Sequence, residues 1–220
     1  MKSTFRLPAI DEKITILGRT GSGKSYFGYW VLSNAPFDEM PYIIFDPKRD
    51  SLLNSVDRIK EIDYKGVPKQ PGLYIVHPLG KIDDENVENL LWEIWRKGDV
   101  GVLFDEGYSI PDKGALEALY TQGRSLHIPI ITLSQRPVNL SRYAFSEANY
   151  ITVFHLNDDR DKKTVAEFTP IKPRDPILPD YHSRWYHVNR NTLHILKPVP
   201  KAEILQQRIF DKLGPKKRIY

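Results

Sequence analysis

The segment that most restricts the fold of this chain is a glycine-rich run at residues 18–25, with the sequence GRTGSGKS. It matches G-x-x-x-x-G-K-[ST], a pattern in which a tight loop turns backbone N–H groups onto phosphate oxygens. An apolar run at 13–17 precedes the loop, and a helix-compatible stretch at 25–33, weakened by Gly28, follows it. Because this order of strand, loop and helix is the context that the pattern requires, it predicts a P-loop whose helix directs its positive end at phosphate.

Apolar runs alternate with helix-like stretches through the first two-thirds of the chain. This alternation predicts an α/β fold with a mostly parallel sheet and helices on both faces. Ligands of such sheets bind at the carboxyl ends of the strands, where the polar motifs of this chain lie. The further strands are predicted at 41–45, 72–76, 100–104, 128–133 and 150–154, and the further helices at 83–97 and 116–126.

The last third of the chain differs in composition from the rest. Four prolines between residues 169 and 179 predict an extended connector, and two β-rich runs around Asn189-Arg190-Asn191 predict a hairpin. We therefore divide the chain into a P-loop core at 1–168 and a C-terminal part at 169–220. The C-terminal part holds the connector, strands at 184–188 and 192–196, a helix at 202–213 and a basic tail with Lys216, Lys217 and Arg218.

Bulk composition narrows the class of protein. The chain has no cysteine, which excludes a disulfide framework and a thiolate metal site. Its formal net charge of +4 permits a nucleic-acid partner without demanding one. No apolar run has the length needed to cross a bilayer, so we expect no transmembrane segment.

Two acidic residues, Asp105 and Glu106, follow the predicted strand at 100–104. After a P-loop, an apolar strand that ends in an acid is typical of a Walker B element. Its aspartate would hold Mg²⁺ together with the Ser25 hydroxyl, and Lys24 would neutralise charge on the β- and γ-phosphates. Glu106 is suited to accept a proton from an attacking water, which predicts hydrolysis of a nucleoside triphosphate. The alternative is a pair of solvent-exposed acids at a strand end.

Two polar side chains on either side of the strand at 128–133 extend the candidate site. Gln135 follows this strand and is predicted to sense the γ-phosphate and to help place the water; a turn or capping role is the alternative. Arg124 precedes the strand and is predicted to enter a neighbouring subunit's site and stabilise transition-state charge. Its alternative is a surface arginine favoured by a helix dipole. Arg136 and Arg142 are weaker candidates for the same role.

Taken in order, these motifs resemble those of the FtsK–HerA superfamily of DNA-pumping ATPases. The resemblance is carried by GRTGSGKS (18–25), IIFDPKRD (43–50), VGVLFDEGYSI (100–110) and GRSLHIPIITLSQRP (123–137). The last segment is the most specific, because a GR-rich stretch in that family leads through a strand to a TQRP-like end. Within the superfamily, the short chain resembles the genome-packaging ATPases of tailless double-stranded DNA viruses with an internal membrane, such as tectivirus-like phages.

The resemblance covers roughly residues 12–170 and implies a RecA-like ASCE P-loop NTPase. It implies ATP and Mg²⁺ as ligands, double-stranded DNA as substrate, and a homo-oligomeric ring, often a hexamer, with sites between subunits. Capsid-vertex or membrane-associated packaging proteins would place the motor, in the host cytoplasm during assembly and then at the packaging vertex of the virion. By the same match, nucleotide is bound by Gly18, Arg19, Thr20, Gly21, Ser22, Gly23, Lys24 and Ser25, metal by Ser25 and Asp105, and the catalytic residues are Glu106, Lys24, Gln135 and Arg124.

Three other functions stay open from the sequence. A conjugation or segregation pump of the same superfamily would carry the same core motifs. A small-molecule kinase would need an acceptor-binding lid and would have no need of Glu106 or Gln135. A non-catalytic nucleotide switch would bind ATP without turnover.

Overall fold

The computed structural model describes residues 6–214, and the structural statements that follow concern that part of the chain. It contains nine strands and seven α-helices, joined by loops and short 3₁₀ turns. The strands are β1 (Lys13–Leu17), β2 (Pro41–Phe45), β3 (Lys60–Glu61), β4 (Gly72–Val76), β5 (Gly101–Asp105), β6 (Ile130–Ser134), β7 (Tyr150–Val153), β8 (Ser183–His187) and β9 (Thr192–Leu196). The helices are α1 (Lys24–Asn34), α2 (Ser51–Asn54), α3 (Asp84–Lys97), α4 (Gly114–Gln122), α5 (Tyr143–Ser146), α6 (Asp159–Phe168) and α7 (Ala202–Lys212).

All nine strands belong to one sheet, in the order β3-β4-β2-β5-β6-β1-β7-β8-β9. The first seven run parallel, and β8 and β9 are added antiparallel at one edge. The predicted α/β fold with a mostly parallel sheet is thereby confirmed. Parallel pairing brings the carboxyl ends of β1, β2, β5 and β6 to the same edge, so the segments that follow these strands meet there.

Two hydrophobic cores lie on opposite faces of the sheet, because successive strand residues point to opposite sides. On β5, Phe104 packs with α3 and α4, whereas Leu103 packs with the face that carries α1 and α7. The central strands are apolar on both faces, as expected for a parallel sheet that is covered twice.

Gly28, which the sequence predicts to weaken α1, allows this helix to lie close to the sheet. A Cβ added there would come within 2.8 Å of the Leu133 side chain on β6. The helix runs unbroken from Lys24 to Asn34. Glycine is therefore a packing residue at this position, and it keeps the helix that follows the P-loop seated on β6.

Several boundaries differ from the sequence expectation. The helix predicted at 116–126 ends at Gln122 and continues as a 3₁₀ turn, because Gly123 and the residues after it tighten the chain before β6. The helix α6 was not predicted; the Asp158 side chain caps it by accepting a hydrogen bond from the Arg160 N–H. The short elements α2 and β3 were also missed.

The hairpin extends the core sheet, since β8 pairs with β7 and β9 with β8. Helix α7 packs on α1, and the Phe210 carbonyl on α7 accepts a hydrogen bond from Arg58. The division of the chain at residue 168 stays a prediction, and the basic tail lies outside the described residues. Within residues 6–214, no helix combines the length and apolar character that a membrane span requires.

Candidate nucleotide-hydrolysis site

The loop at residues 18–25 connects the end of β1 to the start of α1, as the sequence predicts. Hydrogen bonds hold the loop to the chain at the ends of β6 and β7, the two strands on either side of β1. The Gly18 N–H donates to the carbonyl of Ser134 on β6 at 3.1 Å, and the Arg19 N–H donates to the carbonyl of His155, just after β7, at 2.9 Å. Gly23 adopts φ +98°, in the left-handed region that favours glycine. At Gly18 an added Cβ would lie 2.7 Å from Phe154, so the loop can pass the end of β7 only without a side chain.

The amino end of α1 has the features of an anion site. Gly23 caps the helix without a side-chain hydrogen bond, and the first turn carries no acidic residue. Its first N–H groups and the positive end of the helix dipole are therefore available to phosphate. The buried Ser22 hydroxyl also has no hydrogen-bond partner among the described residues.

Asp105 ends β5 as a fully buried carboxylate. Neither of its oxygens accepts a hydrogen bond within residues 6–214. The pKa of the Asp105 carboxyl is raised to about 6, chiefly by burial; the charges of Glu106 and Asp46 act in the same direction, and those of Lys48 and Lys24 oppose them. A buried carboxylate without a partner is costly unless a cation compensates it.

These features fit a magnesium ion. A hard cation prefers oxygen ligands, and Mg²⁺ in phosphoryl-transfer sites is held by one or two protein oxygens together with phosphate and water. Asp105 and the Ser25 hydroxyl, in the first turn of α1, are the candidate ligands. Within residues 6–214, no three His, Cys, Asp or Glu side chains form a metal-binding group, so the protein would supply only part of the coordination shell.

Glu106 is also buried, and three donors hold its carboxylate. The Lys24 ammonium lies 3.3 Å from Oε1, and the Lys48 ammonium contacts the same oxygen. The other oxygen, Oε2, accepts the Gln135 backbone N–H at 3.1 Å. The Glu106 backbone has φ +72°, a left-handed conformation that is strained for a residue with a side chain. Ser109 stabilises this turn by donating its N–H to the Glu106 carbonyl.

Gln135 follows β6 and links the two halves of the site. Its side-chain oxygen accepts a hydrogen bond from the Thr20 hydroxyl at 2.6 Å, and its amide group donates to the Tyr108 hydroxyl at 3.1 Å. The side chain therefore connects the P-loop to the segment after Glu106. The structure brings Lys24, Asp105, Glu106 and Gln135 together at one sheet edge.

A cavity of about 390 Å³ opens directly beside the P-loop. One wall is formed by the loop and the end of β7 with the residues after it, including Arg19 and Phe154. The other wall is formed by the proline-rich connector and the residues that follow it, including Tyr181. The Tyr181 ring lies against the loop, 3.1 Å from where a Cβ of Gly23 would be. The sequence predicted the connector but assigned no residue of it to the site, because proline spacing gives an extended backbone without saying what it packs against.

The three candidate arginines lie in different surroundings. Arg124 is in the turn before β6, at the amino edge of the sheet, opposite the P-loop; it is 70% exposed and pairs with Asp11 at 3.2 Å. Arg136 is held by Asp158 and Asp161 at 3.5 and 3.4 Å. Arg142 is exposed and pairs with Glu167 at 3.2 Å. Arg124 cannot serve its own chain's loop from the opposite edge of the sheet.

Comparison with known proteins identifies the family. No protein-family model matches the chain. Over 98% of its length, however, the chain is 42% identical to the DNA packaging ATPase P9 of Enterobacteria phage PRD1, of which the match also covers 98%.

Solved structures share the fold at lower sequence identity. The genome packaging NTPase B204 of Sulfolobus turreted icosahedral virus 2, in complex with AMPPCP, is 20% identical with a TM-score of 0.64; the match covers 88% of this chain and all of B204. The conjugation coupling protein TcpA of pCW3 is 14% identical with a TM-score of 0.58, over 80% of this chain and 58% of TcpA. The predicted resemblance is confirmed, and the identity along nearly the whole length of both chains shows that this chain belongs to the family of phage DNA packaging ATPases.

Proposed function

We propose that this protein hydrolyses ATP to drive double-stranded DNA into a preformed viral capsid. The observation that carries the proposal is the grouping of the P-loop lysine, two buried acids and Gln135 at one sheet edge in a chain 42% identical to a DNA packaging ATPase. The likeness to a conjugation coupling protein rests on fold alone and does not favour that function over packaging.

ATP would lie along the loop and the adjoining cavity. The backbone N–H groups of 18–25 and Lys24 would hold the β- and γ-phosphates, and the cavity beside Tyr181 would take the nucleoside. The cavity is of a size that small-molecule sites commonly have. Ser25 and Asp105 would hold Mg²⁺, which supplies charge neutralisation to the phosphates.

Glu106 would act as the general base for water. Its carboxylate lies beside the P-loop lysine, as a group acting at the γ-phosphate must, and burial excludes bulk water from it. Gln135 would orient the attacking water, because it is attached to both the P-loop and the segment after Glu106. A base that accepts the proton of water leads to hydrolysis rather than to transfer onto a metabolite.

Arg124 would complete the site of the next subunit in a homo-oligomeric ring, for which we propose six subunits. Its exposed position at the amino edge of the sheet supports a role in trans. Arg136 is less suited, because two acids hold it within its own chain. The ring would enclose DNA and dock on capsid-vertex or membrane-associated packaging proteins, after assembly in the host cytoplasm.

The direct test is the variant Glu106→Gln. The amide has nearly the same shape but cannot accept a proton, so we expect ATP binding to persist while DNA-stimulated turnover falls about 100-fold or more. Binding and phosphate release would be measured on the same preparations. The control is Glu203→Gln, an exposed residue on α7. Turnover at the parental rate in Glu106→Gln would contradict the proposed role.

A further inference from the structure

Among the described residues that contact the Glu106 carboxylate, Lys48 alone has no part in the proposed hydrolysis. It lies in the loop between β2 and α2, and its ammonium contacts Glu106 Oε1. The Lys24 ammonium lies 3.3 Å from the same oxygen. Two ammonium groups therefore share one carboxylate oxygen, and each repels the other.

Hydrogen bonds hold the backbone of the loop that carries Lys48, whereas the Lys48 side chain has room to move. The buried carboxylate of Asp46 accepts the N–H of Lys48 at 3.1 Å and that of Asp50 at 2.8 Å. The Lys48 side chain, by contrast, is 40% exposed and ends a flexible four-carbon stem. Its ammonium can thus change partner without any movement of β2.

Phosphate is the partner that the geometry favours. Lys24 is the P-loop lysine that reaches the β- and γ-phosphates, and Lys48 meets it at a common oxygen. The γ-phosphate of ATP brings more negative charge than one carboxylate, and it offers acceptor oxygens to both ammonium groups. We propose that Lys48 is a second phosphate-binding lysine, which leaves Glu106 for the γ-phosphate when ATP binds.

The exchange would couple substrate recognition to the base, and in this respect the inference rests on the proposed function. While Lys48 and Lys24 both contact Oε1, that oxygen has no lone pair readily available to a water. Once both lysines contact phosphate, Oε1 is released, and Gln135 still holds Oε2 through its backbone N–H. A nucleoside diphosphate lacks the γ-phosphate, so it would leave Lys48 on Glu106.

The test compares two nucleotides on one variant, Lys48→Met, which keeps the length of the stem and removes the charge. Dissociation constants would be measured by titration with AMPPCP, which is not hydrolysed at its β–γ bridge, and with ADP. We expect AMPPCP to bind about tenfold more weakly than to the parental chain, because one charge-assisted contact is lost, and ADP to bind within about twofold. ADP binding also reports that the variant is folded.

The matched control is Arg49→Met, since Arg49 is an exposed cation in the same loop and makes no ion pair within residues 6–214. It should leave both affinities unchanged. Unchanged AMPPCP affinity in Lys48→Met, or equal losses for the two nucleotides, would overturn the proposal. If the parental chain bound neither nucleotide, that result would instead contradict the proposed function, whatever the behaviour of the Lys48 variant.

Discussion

At the scale of single residues, the site is a cluster of buried charges that is incomplete without its ligands. Asp105 has no hydrogen-bond donor among the described residues, and Glu106 has three in a strained turn. An arrangement of this kind costs stability in the free protein and is typical of functional sites. ATP and Mg²⁺ would supply the opposite charges that the fold leaves out.

The variant Asp105→Asn should be more stable than the parental chain at pH 8 in a buffer without Mg²⁺. Folding raises the pKa of the Asp105 carboxyl from 3.8 to about 6, so the folded state binds this proton more tightly than the unfolded state. The unfolding free energy therefore falls as pH rises from about 4 to 6, and the loss is complete above that range. We expect the variant to melt several degrees higher at pH 8, since about 1 kcal/mol corresponds to 2–4 °C in a chain of this size.

The advantage should largely disappear near pH 4, where the parental carboxyl is mostly protonated in the folded state. Thermal unfolding of both proteins at the two pH values measures this, and the exposed residue in Asp57→Asn serves as the control. A melting temperature at pH 8 that equals or falls below the parental value would contradict the account of Asp105.

Motif residues could be predicted one by one, but the contact between Lys48 and Glu106 could not. The two are 58 positions apart, and they meet because β2 and β5 are neighbours with Phe45 opposite Phe104. Sequence spacing does not give strand order. For this reason the sequence does not pair Lys48 with Glu106, although both residues follow strands whose carboxyl ends were expected at one edge of the sheet.

At the scale of elements, the proline-rich connector is a wall of the cavity as well as a link to the hairpin. Tyr181 has φ +61°, a left-handed backbone conformation that is uncommon for residues other than glycine. Its ring lies against the P-loop. Aromatic rings stack on nucleobases with little regard to sequence. The connector therefore has the position and the chemistry to hold the nucleoside.

The variant Tyr181→Ala should raise the KM for ATP about tenfold, because one stacking contact is worth roughly 1–3 kcal/mol. Inhibition by inorganic tripolyphosphate should stay at its parental strength, since that anion has no base to stack. Steady-state kinetics with both compounds would measure the difference. If the variant weakened inhibition by tripolyphosphate as much as it raised the KM for ATP, Tyr181 would be supporting the P-loop rather than contacting the nucleoside.

Long, strongly patterned elements were predictable and short ones were not. The apolar runs of the parallel strands lie within two residues of their predicted ends, because burial on both faces leaves a strong signal. The two-residue strand β3 and the four-residue α2 depend on packing against longer neighbours. The charged sequence of α6 hides its helical period, because Asp161 and Val165 are the only buried residues of this helix.

At the scale of the whole molecule, the polarity of the sheet separates the P-loop site from the arginine that we propose to act in trans. The P-loop and the acids lie at the carboxyl edge, and Arg124 lies at the amino edge. In a ring of identical chains, one subunit can present Arg124 to the carboxyl edge of the next. The modest net charge of +4 is compatible with this, because a ring gathers basic loops around one channel.

We propose that a complete site forms only between subunits that surround DNA. The ATPase rate per chain should therefore be measured over a wide range of protein concentration, with and without duplex DNA. We predict a low rate in dilute protein, a steep rise as subunits assemble and a further rise with DNA, whereas Arg124→Ala should bind ATP normally and lose both increases. A rate per chain that stayed constant with concentration and did not respond to duplex DNA would show that the site is complete within one subunit.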